Sequence, residues 1–235
     1  MNTLPEGMIG EPLPYLLHTD WIVTALMFLC VLTVTYVFSR EKKYLLQQLK
    51  TFLINRKRSS MFDEGNTIDM RYILLLIFHT CVLLGFCAYY HVSNNMPSLL
   101  EKIPHILLLG SFVTTLGCFF FIKWILYSFV NWVFFQKESN SNWIISYFNL
   151  IIWLGIFLLP IILVIIYFDI SSQNTLYLIG SSILIAKIAL FWKCFRNFFA
   201  KIYGALHLIL YFCALEILPD LILWKGIELV SNNLT

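Results

Sequence analysis

The chain has 235 residues, of which 60% are hydrophobic, 17% aromatic and 12% charged, and its formal net charge is +3. Ordinary soluble domains carry about 25% charged residues. The composition therefore excludes an ordinary soluble domain and indicates a membrane protein. The basic residues flank apolar segments and form no recognition motif, so we expect no nucleic-acid partner.

Apolar windows that meet or approach the roughly 20 residues needed to cross a bilayer occupy more than half of the chain. They lie at 21–38, 72–92, 105–122, 143–168, 175–192 and 203–224. We therefore predict an all-α, polytopic helical membrane protein of about six transmembrane helices, forming a single domain over 1–235. The first twenty residues contain no Lys or Arg, unlike a secretory signal, so 21–38 is predicted to be a retained span.

The basic residues predict how the spans are oriented. All Lys and Arg residues except Lys102 and Lys225 lie in or beside the segments that follow spans one, three and five. Cytoplasmic loops are enriched in Lys and Arg. We therefore expect these three segments in the cytoplasm and both termini outside.

The only long cytoplasmic loop is 39–71. Apolar residues recur in its first part at helical spacing, at Leu45, Leu49, Phe52 and Leu53, with basic residues between them. This pattern is typical of an amphipathic interfacial helix that anionic lipids attract to the inner leaflet.

Basic residues mixed with apolar and aromatic ones recur in all three cytoplasmic segments. We define these as the basic collar: Lys42, Lys43, Lys50, Lys123, Lys193, Arg196 and Lys201. One interpretation is ordinary snorkelling of long side chains towards water. The other is a docking surface for further membrane-protein subunits or anionic lipids.

A row of polar residues follows span three. Lys123, Tyr127 and Asn131 stand at helical spacing in an aromatic background. A helix continuing from span three to Phe135 would be about 45 Å long, which exceeds the roughly 30 Å hydrocarbon core. We expect either that this whole helix tilts strongly or that it bends near Lys123, so that residues 123–135 follow the interface.

Glu216 and Asp220 interrupt the last apolar segment, with Pro219 between them. Residues four apart share a helix face, and Pro219 leaves a preceding carbonyl unpaired. Glu216 is predicted about 12 Å below the outer end of span six. A charge inside the membrane costs about 2.5–3.5 kcal/mol on insertion scales, so a functional site is the default hypothesis. The alternatives are a paired or neutral Glu216 that locks helix packing and an Asp220 that is solvated at a helix end.

Lys187 in span five is the natural counter-charge to Glu216. Its stem would reach Glu216 if spans five and six pack together, and Gly180, Ser181 and Ser182 would allow close approach. The other possibility is that Lys187 snorkels towards the cytoplasm.

Histidines and cysteines give weak signals. His79 and His207 lie in the inner halves of their spans, where two imidazoles can hold a haem iron, but a packing role is favoured. His18, His91 and His105 cluster near the outer surface without a metal-binding spacing. The six cysteines are predicted to be packing residues, and familiar enzyme motifs are absent. We therefore expect no catalytic residue, cofactor or metal.

The tail "FRNFFAKIYGALHLILYFCALEILPDLILWK" resembles an uncharacterised family of polytopic inner-membrane proteins from Bacteroidetes, mainly over residues 193–225. The core of the resemblance is "ILYFCALEILP", residues 209–219. The resemblance implies a bacterial inner-membrane location and makes Glu216 and Pro219 part of the family's pattern. It implies no reaction.

These observations lead to three hypotheses of function. The first is a non-enzymatic subunit or assembly factor of a membrane complex, whose basic collar meets a partner. The second is a small proton-linked transporter in which Glu216 exchanges a proton and Lys187 is its switchable partner. The third is a lipid-handling membrane enzyme that uses Glu216, Asp220 and an outer histidine.

Overall fold

The described part of the chain is helical. The computed structural model describes residues 21–53, 70–95, 104–134, 137–168, 170–198 and 210–234. The first five helices are α1 (Trp21–Leu53), α2 (Met70–Asn95), α3 (His105–Phe134), α4 (Lys137–Tyr167) and α5 (Ser172–Phe198). The helical residues 210–212 then lead through a π-helical turn at Cys213–Ile217 into the α-helix Leu218–Leu234, and residues 210–234 together are called α6. The all-α prediction is confirmed.

Within the described ranges, five helices, α1 to α5, are long and apolar enough to cross a membrane. They match the first five predicted spans, although most extend beyond the predicted bounds. The sixth predicted span, 203–224, lies partly outside the described residues, and its described part is helical. α6 continues to Leu234, so Glu216 lies about 27 Å from that end at 1.5 Å per residue.

α1 is kinked where the first cytoplasmic loop was predicted to begin. Glu41 has non-helical backbone angles (φ −118°, ψ 22°), and the helix continues beyond it to Leu53. The segment after residue 40 is therefore helical as far as Leu53 and is joined directly to α1. Leu45 is buried against Val37, Leu76 and Ile152, so this apolar side chain contacts protein rather than lipid. The later part of the loop, 54–69, lies outside the described residues.

α3 runs through Lys123 as one helix of 30 residues. The alternative of a bend near Lys123 is therefore wrong. The burial of Lys123 and Asn131, with 1% and 0% exposure, gives the physical reason. Both polar side chains face other helices, so the continuing helix is held by protein contacts.

α2 is the central helix, and more of it is buried than of any other candidate span. A Cβ atom on Gly155 of α4 would lie 3.2 Å from the Cα of Thr80, and one on Gly85 would lie 3.2 Å from the backbone nitrogen of Val113 in α3. The Thr80 hydroxyl lies 3.3 Å from the carbonyl oxygen of Ile151. These glycines allow α2 to approach α3 and α4 at backbone distance, as small residues do in membrane bundles.

Candidate functional site

The polar row of α3 faces α6. The Tyr211 hydroxyl donates to Asn131 Oδ1 at 2.7 Å. One turn away, the Tyr127 hydroxyl donates to Glu216 Oε1. A further turn along, Lys123 meets both Glu216 and Asp220. The regular spacing of the polar residues on α3 thus places three successive contacts along the same helix pair.

Glu216 is the best-coordinated side chain in this interface and is 0% exposed. Its Oε2 accepts a hydrogen bond from Lys123 Nζ at 2.8 Å and a second from Lys187 Nζ. Its Oε1 accepts from Tyr127. A carboxylate with three donors, two of them ammonium groups, has both its charge and its oxygens compensated.

Asp220 completes a network of four charges. Its Oδ1 lies 2.9 Å from Lys123 Nζ, and its Oδ2 lies 2.5 Å from Lys187 Nζ. Lys123, Lys187, Glu216 and Asp220 are named the charge cluster, and their formal charges sum to zero. They come from α3, α5 and α6, so the charge cluster ties three helices together.

The charge cluster is buried on one side and open on the other. The side chains of Lys123 and Glu216 are 2% and 1% exposed, whereas those of Lys187 and Asp220 are 30% and 37% exposed. A cavity of about 490 Å³ adjoins Lys187, Glu216 and Asp220 and is otherwise lined by apolar residues. Phe191 and Phe212 lie in its wall with their rings edge to face, 5.1 Å between centroids.

The π-helical turn sets the register of α6. At 3.6 residues per turn, residues five apart such as Tyr211 and Glu216 would point about 140° away from each other. The wider π turn brings them onto the face that meets α3, and Leu218 N–H bonds to Cys213 O within it. Pro219 explains why the turn forms here, because proline cannot donate a backbone hydrogen bond and its ring crowds the carbonyl four residues earlier.

Aromatic rings surround the buried side of the charge cluster. Tyr127 packs against Tyr147 with 5.0 Å between ring centroids, against Trp143 at 5.6 Å and against Tyr211 at 6.0 Å. All four residues are packed in one apolar cluster with Leu215 of α6. These rings keep the Tyr127 hydroxyl aimed at Glu216.

The structure brings together most of the residues singled out around the acidic pair. Glu216 and Asp220 share a face, Lys187 pairs with both, and Pro219 lies at the end of the π turn. The predicted close packing of α5 on α6 at Gly180 is not what brings Lys187 to Glu216. A Cβ atom on Gly180 would have no described neighbour within 4 Å, so Lys187 reaches across by the length of its own stem.

The placement of Lys123 in the basic collar is wrong. Lys123 is 1% exposed as a whole residue, and its ammonium group bonds to Glu216 and Asp220. The physical reason is that two carboxylates on one face of α6 need positive charges, and Lys123 is aligned with them.

The other residues of the basic collar differ in how exposed they are. Lys42, Lys43 and Lys50 are exposed on the part of α1 that follows the kink. Lys193 and Arg196 are half-buried, and the Arg196 guanidinium lies 3.9 Å from the ring centroid of Trp192. Lys201 lies outside the described residues.

The histidines remain separate from the charge cluster. His79 is 2% exposed, and its ring nitrogens have no hydrogen-bond partner among the described residues. His207 and His18 lie outside those residues, so the haem pairing stays a prediction. His105 Nδ1 lies 2.9 Å from the Tyr89 hydroxyl, and the His91 ring packs 5.5 Å from Trp224. In the described ranges, His, Cys, Asp and Glu form no group of three or more suited to a metal ion.

Tyr127, Asn131 and Tyr211 belong to this interface without having been predicted there. The signal was the spacing of four between Lys123 and Tyr127, which repeats the spacing of Glu216 and Asp220. Two polar rows with the same period on different apolar helices are expected to face each other, because burial in lipid favours polar contact.

Comparison with known families assigns the chain. Neither the curated proteins nor the solved structures gave a match. A family model described as a domain of unknown function (DUF4271) matches residues 23–227, from the first turn of α1 into α6. This range is much wider than the 193–225 on which the resemblance rested, and it covers more than half of the chain. The chain therefore belongs to the DUF4271 family of unknown function.

Proposed function

We propose that this protein is a non-enzymatic subunit or assembly factor of a complex in the bacterial inner membrane. In this proposal, both termini face outside, and the charge cluster fastens α6 to the bundle so that α6 is held in one orientation towards a partner. The basic residues that follow the kink of α1 form the cytoplasmic contact.

The carrying observation is that the charge cluster is complete in itself. Every charged group in it bonds to another, Glu216 is fully buried, and the formal charges cancel. Each charge inside a membrane costs about 2.5–3.5 kcal/mol. Here the charges are paired with one another across helices, so they join the helices. That use favours an organising role over chemistry on a substrate.

The apolar surface of α6 beyond the charge cluster supports the same role. Leu218, Leu221, Ile222, Trp224 and Leu229 are each more than half exposed. Such a surface suits lipid or an apolar helix of a second subunit. Because α6 is anchored at its polar face, it presents this surface in a fixed orientation.

The experiment is native purification of the tagged protein from its own membrane, with mass spectrometry of what accompanies it. We expect a stoichiometric membrane partner. We also expect the triple substitution Lys42→Gln, Lys43→Gln and Lys50→Gln to release it. The control is Lys225→Gln, an exposed lysine at the opposite end of the predicted topology. A solitary protein in full yield, or a partner that the triple substitution leaves in place, contradicts the proposal.

A second candidate is proton-linked transport. It is favoured by the 490 Å³ cavity, which gives a small solute or water a route to the open side of Lys187 and Asp220. Replacement of Glu216 by Gln separates the two functions. A folded variant that keeps its partner supports the subunit role, and a folded variant that loses a pH-dependent solute flux supports transport.

A further inference from the structure

A second cavity lies between α1, α4 and α5 and shares no residue with the charge cluster. Its volume is about 600 Å³, within the range of about 300–1,000 Å³ that is usual for ligand sites. Most of its wall is apolar. The residues that form the apolar part include Leu154, Phe157, Ile161, Ile185, Ala186 and Ala189.

The polar residues of this cavity lie mainly at one end. Gln48, Asn149 and Lys193 line it where α1 after its kink, the first half of α4 and the last turns of α5 meet. Asn149 Nδ2 donates to Gln48 Oε1 at 2.7 Å, which holds the two amides in place. Lys193 is the one charged side chain among the described lining residues, so the cavity carries a single positive charge.

An unpaired donor lies one turn further along α4. The indole N–H of Trp153 is buried and has no hydrogen-bond partner among the described residues, and Trp153 lines the cavity. A buried N–H without an acceptor is costly. Because this nitrogen is itself buried, Trp153 lines the cavity with its other atoms.

The length of the cavity is that of one membrane leaflet. Its wall on α5 runs from Ser182 to Lys193, about 16 Å at 1.5 Å per residue. Half of the roughly 30 Å hydrocarbon core is about 15 Å. A polar, positively charged end followed by a leaflet-long apolar groove has the shape and charge of a site for one amphiphile.

We propose that this cavity binds one anionic phospholipid. The phosphate lies at the end formed by Lys193, Gln48 and Asn149, and one acyl chain lies between α4 and α5. The site gives a specific position to the anionic-lipid contact that the basic collar only suggested. It does not depend on the subunit role of the charge cluster.

The test is native mass spectrometry of delipidated, purified protein titrated separately with phosphatidylglycerol and phosphatidylcholine. The wild type is expected to bind one phosphatidylglycerol with preference over phosphatidylcholine. Ala189→Phe fills the groove and is expected to abolish this binding. The matched control is Ala25→Phe, at an exposed position of α1 that does not line the cavity.

The headgroup is tested separately, so the proposal does not rest on the folding of the filled variant. Lys193→Gln is expected to lower phosphatidylglycerol affinity about tenfold, the effect of one charge-assisted hydrogen bond, with phosphatidylcholine binding unchanged. Lys225→Gln, at an exposed lysine that lies outside the basic collar and does not line the cavity, is expected to match the wild type. Equal binding of the two lipids by the wild type, or unchanged phosphatidylglycerol binding in Lys193→Gln, overturns the proposal.

Discussion

The two carboxylate oxygens of Glu216 accept hydrogen bonds from different kinds of donor. Oε2 takes both ammonium groups, from Lys123 and Lys187, and Oε1 takes the hydroxyl of Tyr127. Removing one partner from a buried ion pair leaves the other charge uncompensated, which costs more than the pair contributed. The organisation of α6 therefore depends on each of these donors.

Tyr127→Phe isolates the neutral donor. It removes one hydroxyl and keeps the ring that packs on Trp143 and Tyr147. We expect the free energy of unfolding to fall by about 1.5–3 kcal/mol, the usual contribution of a hydrogen bond to a charged group. Reversible unfolding in detergent by added SDS measures it.

The matched control for Tyr127 is Tyr177→Phe, because Tyr177 is 69% exposed. This control is expected to leave the free energy of unfolding unchanged. Equal values for the two variants would mean that the Tyr127 hydroxyl does not support Glu216.

The acidic pair and Lys187 are visible in the sequence because a charge inside an apolar window has few explanations. Lys123 was misassigned for the opposite reason. It stands at the end of an apolar window, where a lysine ordinarily marks the cytoplasmic boundary. Only the packing of α3 against α6 distinguishes a boundary lysine from a buried one, and packing order is not encoded in hydropathy.

One π-helical turn aligns the polar residues of α6 with those of α3. Polar residues on α3 recur every four positions, whereas their partners Tyr211, Glu216 and Asp220 are separated by five and then four. The turn at Cys213–Ile217 absorbs the extra residue. Pro219 favours it by removing the backbone donor that a regular α turn would use.

Pro219→Ala restores that donor and allows a regular α turn that rotates Glu216 away from Tyr127. We therefore expect Tyr127→Phe to cost at least about 1 kcal/mol less in the Pro219→Ala background than in the wild type, within the range of measured couplings. Reversible SDS unfolding of the wild type, Tyr127→Phe, Pro219→Ala and the double variant gives this difference.

Pro160→Ala provides the matched background, because Pro160 lies within α4, away from the π turn. There the cost of Tyr127→Phe is expected to be unchanged. A full cost in both backgrounds would show that Pro219 does not set the register of Glu216.

The helices were predicted better than their ends. Hydropathy identifies the part of a helix that matches lipid, so it located α1 to α5. It does not report where backbone hydrogen bonding stops. α1 and α3 continue to Leu53 and Phe134 through polar and aromatic residues that a hydropathy window excludes.

For the whole molecule, the predicted orientation places the turn between α4 and α5 outside and the end of α1 in the cytoplasm. Both places offer an exposed residue, Ser171 and Lys42. In intact spheroplasts of a variant without native cysteines, a membrane-impermeant maleimide is expected to label Ser171→Cys and spare Lys42→Cys. Lysed membranes are the control in which both are labelled, and the reverse pattern in intact cells would invert the proposed topology.

The helices of the bundle are joined in two different ways. Apolar packing centred on α2 joins α1, α3 and α4, whereas α6 is attached mainly through the charge cluster and the aromatic rings around it. A helix held by paired charges is fixed in rotation and depth, because polar contacts in lipid have few alternatives. This is the property that a subunit contact requires.

The most direct measurement is a double-mutant cycle between Lys123 and Glu216, with Lys123→Met, Glu216→Gln and the double variant unfolded reversibly in SDS. We expect each single substitution to lower the free energy of unfolding by about 3 kcal/mol or more, and the double variant to lower it by about 1–3 kcal/mol less than the sum. Costs that add to within about 0.5 kcal/mol would mean that the two side chains do not interact, and the charge cluster would not be what holds α6 to the bundle.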